Sequence, residues 1–139
     1  MRWKAVRRFA DQSGTAAIEF AIIAPVLMLF LLGIVCFGLM LGTYNAVQQL
    51  AAEAARASVA GLSDSERNQI ANSYVSSNIA GYQMIDPNKL IVATYAQPDT
   101  YRVTLSYDVS NTVVYKLSGV FKSFNPIIVL SASIKNGGF

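Results

Sequence analysis

Hydrophobic and polar positions change their period twice along this chain. From Phe20 to Gly42 there is no alternation at all, only 23 consecutive residues free of Asp, Glu, Lys and Arg. At about 1.5 Å per residue a helix of that length reaches roughly 34 Å, enough to cross the hydrocarbon core of a bilayer with some tilt. Beyond it, Tyr44–Ala60 is rich in alanine, a strong helix former, and Val47, Leu50, Ala51, Ala54 and Ser58 make a narrow stripe at helical spacing. The pattern predicts one long helix over 15–60, with Thr15 as its N-cap and Gly61 as its stop. Pro25 lies inside it, removes one backbone donor and is expected to loosen or bend the helix near 21–25.

A second, weaker helix is expected over about 64–79. Ser63 and Glu66 have the spacing of a capping box; Ile70, Tyr74, Val75 and Ile79 form an apolar face, and Gly81 closes the segment. After Asp86-Pro87-Asn88 the period falls to two. Leu90–Ala96 and Tyr101–Val109 alternate, with Gln97–Thr100 as the turn between them. Tyr101, Val103, Leu105, Tyr107 and Val109 share one face of the second strand. Thr112–Leu117 is a further candidate strand, and Ile127–Lys135 another. Helices followed by strands predict an α+β fold: a long N-terminal transmembrane helix continuing into a small domain, with a second helix and a 3–4-stranded antiparallel sheet packed on helix 44–60.

Charge changes this picture at one end. Residues 1–14 carry Arg2, Lys4, Arg7 and Arg8 against Asp11, while the remainder of the chain is balanced, so the formal net charge of +3 belongs to the leader. By the positive-inside rule the leader is cytoplasmic and the residues after about 44 lie across the membrane. No basic stripe with interleaved aromatics occurs elsewhere, which argues against a nucleic-acid partner. The apolar run is too long for the core of a cleavable secretory signal, so it is expected to be retained. Chemistry is sparse: there is no histidine, and the single cysteine, Cys36, lies within the apolar run. Asp86, Asp99 and Asp108 are scattered without nucleophile–base or ligand spacing, so neither an enzyme nor a cofactor or metal site is expected.

Glu19 is the only charge between Asp11 and Glu53, and it stands at the threshold of the apolar run. A carboxylate buried near the centre of a membrane costs roughly 2.5–3.5 kcal/mol or more, so this one either sits among headgroups or meets a partner. Gly38 and Gly42 form a G-x-x-x-G pair, extended by Ala46, that would let helices approach closely. Glu53 and Arg56, three apart, could form a solvated ion pair.

The block from Gly14 to Leu27 (GTAAIEFAIIAPVL) places a glycine after a basic tail, a carboxylate five residues beyond it, and then the span. This resembles a type IV prepilin leader. More narrowly, AIEFAIIAP at 17–25, followed by AAEAARA at 51–57, is similar to the TadE family, minor pilins or pseudopilins of the tight-adherence (Flp) pilus. The resemblance is tight over 13–61 and pattern-level over 89–139. It implies a leader of residues 1–14 cut between Gly14 and Thr15 by a prepilin peptidase, a transmembrane helix over 15–43, and a periplasmic α+β head over 44–139. It implies as partners other major and minor pilins, the inner-membrane assembly platform and membrane lipid. It also gives Glu19 a role: cleavage creates an α-amino cation on Thr15, one helical turn away, which can pair with Glu19 of its own or a neighbouring subunit and set register. The alternative is an unprocessed single-pass anchor displaying a small periplasmic binding module. A major filament subunit is disfavoured, because those of the Flp system are much shorter and largely helical.

Overall fold

The computed structural model describes residues 12–112, 115–116 and 125–135. Helix α1 runs Gln12–Ala57 and a single 3-10 turn, Ser58–Ala60, completes it. Thr15 therefore lies inside the helix instead of capping it, because the helical backbone already includes Gln12. The helix also runs on through Pro25, whose missing N–H leaves the Ala21 carbonyl without its usual partner. By compactness the chain divides after Val35 into two units.

The first unit contributes the described residues 12–35 of α1. From Gly14 onward its side chains are exposed, apart from a half-buried Ala24. Phe20 is 71 % exposed, Leu29 72 % and Phe30 64 %, so large apolar side chains lie uncovered by the described residues. This is the one helix, among the described residues, long and apolar enough to cross a membrane.

The second unit, from Cys36 onward, holds the core. The stripe expected on α1 is its floor: Val47, Leu50, Ala51, Ala54 and Ser58 are all fully buried. Helix α2 (Asp64–Asn78) begins at the capping box, where Ser63 Oγ accepts from the Glu66 N–H at 3.2 Å and Glu66 Oε2 accepts from the Leu62 N–H at 2.9 Å. Gly61 precedes it in extended backbone, so positive φ is not what requires glycine here. The requirement is close approach, since a Cβ at 61 would stand 2.8 Å from the Arg67 backbone nitrogen. Arg67 Nε in turn donates to the Gly61 carbonyl at 3.0 Å.

Strands β1 (Leu90–Ala96), β2 (Thr100–Asp108) and β3 (Ile127–Lys135) form an antiparallel sheet in the order β1-β2-β3. Tyr101, Val103, Leu105 and Tyr107 alternate inward from the central strand, opposite Ile128 and Leu130 of β3. They meet the α1 stripe together with Ala71 and Val75 of α2, Ile79 and Ile85 in one apolar cluster. At about 25 cal/mol per Å², burial of this face is the principal stabilising term of the unit. The turn between β1 and β2 is closed by the Gln97 N–H donating to the Thr100 carbonyl at 2.8 Å.

The candidate strand over 112–117 is not formed where the chain is described. Thr112 is a bend, and the Lys116 N–H donates back to the Thr112 carbonyl at 3.1 Å, which is a helical turn; Val113, Val114 and Leu117 lie outside the described residues. Thr112 Oγ1 also donates to the Val109 carbonyl at 2.7 Å, so local side-chain bonding competes with extension here.

Candidate functional site

Gly14, Thr15 and Glu19 lie in the opening turns of α1, and all three are exposed. Thr15 and Glu19 are four apart, so they share one helical face at neighbouring positions. Glu19 makes no hydrogen bond or ion pair with the described residues. The basic residues Arg2, Lys4, Arg7 and Arg8 lie outside the described residues.

The two glycines of the G-x-x-x-G pair differ. A Cβ at Gly38 would meet nothing within 4 Å, so that side of the helix is open to a neighbour. A Cβ at Gly42 would stand 2.8 Å from Met84 Sδ and 3.2 Å from Met84 Cε. Gly42 thus already receives a side chain of its own unit, although the far end of a methionine yields easily.

Glu53 is the charged centre of the second unit, and its partners are not those the spacing suggests. Instead of pairing with Arg56, Glu53 Oε2 accepts from Tyr74 Oη at 3.0 Å and Tyr82 Oη at 2.9 Å, while Oε1 accepts from Gln49 Nε2 at 3.2 Å. Arg56 is exposed, and the described ion pairs are Arg67–Asp64 at 3.6 Å and Lys89–Asp86 at 3.8 Å. Hydrogen bonds from Tyr82, Tyr74 and Gln49 hold the Glu53 carboxyl below its ordinary 4.5. Burial, reinforced by the Glu53 hydrogen bond, pushes the Tyr82 phenol up to about 12. At neutral pH the cluster is one carboxylate accepting three hydrogen bonds from protonated donors. It braces α1 against α2 and the segment after it.

Sequence reasoning missed this brace because Tyr74 and Tyr82 lie far along the chain from Glu53. The available signal was a tyrosine on the apolar face of α2, since a half-buried phenol needs a partner for its hydroxyl. The fully buried Tyr101 shows the same logic: its Oη donates to Asn68 Oδ1 of α2 at 2.7 Å. Two of the three scattered aspartates, Asp86 and Asp108, serve local backbone. Asp86 Oδ1 accepts from the Asn88 N–H at 3.0 Å and Asp108 Oδ1 from the Ser110 N–H at 2.8 Å. Among the described residues, no three His, Cys, Asp or Glu side chains are grouped to hold a metal ion.

Comparison with curated proteins and with solved structures gives no match to this chain. A family model does match, from Gly14 through the threshold carboxylate and the apolar run to the stripe residues Val47–Ala54. Residues 14–56 match the family model described as TadE-like protein.

Proposed function

We propose that this chain is the precursor of a minor pilin or pseudopilin, a structural component that primes or assembles a pilus of the Tad/Flp type used in surface adhesion. The observation that carries the reading is the TadE-like segment starting at Gly14, with Glu19 exposed and one helical turn from Thr15. The protein is held by one pass through the bacterial inner membrane, its basic N-terminus cytoplasmic and its head periplasmic. Prepilin peptidase cuts between Gly14 and Thr15, which removes the four basic residues of the leader and leaves an α-amino cation at Thr15. That cation pairs with Glu19 of the same or an adjacent chain in a low-dielectric setting, where leaving either charge alone is costly. Lateral partners are other pilins, meeting the helix along its exposed residues and at Gly38, with Pro25 shaping its course; the platform that extrudes them is the remaining partner.

The decisive experiment is mass spectrometry of the N-terminus of the protein isolated from its native host. A mature chain beginning at Thr15 is the expected result. An intact leader in peptidase-competent cells would instead identify an unprocessed single-pass anchor that displays the head as a binding module.

A further inference from the structure

The base of the head is built around the end of the apolar run. The compact unit that contains the sheet starts at Cys36, inside the charge-free segment, and α1 exposures fall from 69 % at Phe37 to 46 % at Leu39 and 36 % at Met40. Met84 reaches this level, with its sulfur and methyl against Gly42, the last residue of the run. A helix over 20–42 covers roughly 34 Å against about 30 Å of hydrocarbon, so Gly42 falls at the edge of the acyl region.

Met84 is not a loosely hanging side chain. Its segment is pinned on both sides: Ile85 is 5 % exposed, Tyr82 Oη is bound to Glu53, and the Ile85 N–H donates to the Tyr82 carbonyl at 2.9 Å. Tyr107 Oη accepts from the Asp86 N–H at 3.1 Å, which ties the far end to β2. Between these ties Met84 remains 47 % exposed, and Tyr44, just past Gly42 on α1, is 45 % exposed. An apolar thioether and an amphipathic phenol are thus presented where the charge-free run stops. The next charges, Asp86 and Lys89, neutralise each other at 3.8 Å. Tyrosine at such a level suits the boundary between water and lipid.

We propose that Met84, held out by the buried Ile85 and the tethered Tyr82 on either side of it, is a second membrane contact of this protein, seated in the headgroup–acyl boundary of the leaflet that the head faces. The contact rests on the reading of α1 as a membrane span. Within the second unit the lipid edge continues from Gly42 at the end of the run onto Met84. The bound area is small, and its effect is orientation more than added affinity.

The test uses the full-length precursor with Cys36→Ala and single cysteines Met84→Cys, Leu62→Cys or Leu31→Cys, at one copy per lipid nanodisc. Leu62 is 94 % exposed and serves as the aqueous reference; Leu31, at the middle of the run, serves as the buried one. A membrane-impermeant maleimide should modify Met84→Cys at least about tenfold more slowly than Leu62→Cys. A fluorophore at 84 should also be quenched by lipids spin-labelled at shallow depth. Labelling of Met84→Cys as fast as Leu62→Cys, with Leu31→Cys protected, overturns the contact while sparing the span. Labelling of Leu31→Cys defeats the span itself. Slow labelling without lipid quenching, or only with several copies per disc, means that protein covers Met84 and also overturns the proposal.

Discussion

Two glutamates of the same helix show how surroundings assign a role to one chemical group. Glu19 is exposed with no partner among the described residues, whereas Glu53 accepts three hydrogen bonds, two of them from tyrosines. The folded state favours ionised Glu53, so its contribution is present above the ordinary carboxyl value of 4.5 and is lost as pH falls through its lowered folded value. Asp108, held low by the Ser110 N–H, adds to the same acid limb. Tyr82 acts with opposite sense. Its folded value is raised to about 12 from 10.0, so its contribution is present below pH 10.0 and disappears as pH rises toward 12. Thermal melts of the full chain in micelles, followed by tyrosine near-ultraviolet dichroism, should show a plateau bounded by these two limbs. Glu53→Gln should lower the melting temperature on the plateau and flatten the acid limb, leaving most of the alkaline limb, because burial is the first cause of the Tyr82 shift. An acid slope identical to that of the parent would remove Glu53 from this role.

At the scale of elements, α1 does two kinds of work with two kinds of surface. Its residues 20–35 are exposed apart from the half-buried Ala24, while Val47, Leu50, Ala51 and Ala54 are buried in one cluster with residues of β2 and α2. Replacing Leu50 by alanine leaves a cavity at a fully buried point and should destabilise the head by about 2–5 kcal/mol. Val59→Ala, on the same helical stretch but 46 % exposed, should stay within about 0.5 kcal/mol. Denaturant titration in micelles measures both, and equal effects would contradict the assignment of the core face. This contrast was legible in the sequence, because a 3.6-residue period with small and apolar members marks a face that must be covered. The strand alternation was equally legible: β1 and β3 have their expected bounds, and β2 begins and ends one residue earlier than expected. What failed was 112–117, where β-branched residues suggest a strand but Thr112 turns the chain through its own hydroxyl and carbonyl.

For the molecule as a whole, the proposed pairing of Thr15 with Glu19 makes assembly depend on an event that precedes it. Glu19→Ala should leave membrane insertion intact, as read by carbonate extraction, and should sharply reduce piliation in the native host. Normal piliation of that variant would eliminate the pairing, whatever the fate of the leader.

The division between sequence and structure follows from range. Periodicity, charge placement and capping act between residues a few positions apart, so the membrane-length run, the stripe at 47–58 and the alternation of β2 could all be read directly. The sequence alone also singled out Gly14 and Glu19, because a charge before an apolar run is anomalous at once. Only the tertiary structure decided that Glu53 serves Tyr74 and Tyr82 instead of Arg56, and that Gly42 receives Met84. It also showed that Gly61 is required by the Arg67 backbone. These contacts join segments whose separation along the chain carries no periodic signal. They exist because closing the sheet over α1 brings half-buried polar groups together, and such groups must find partners there.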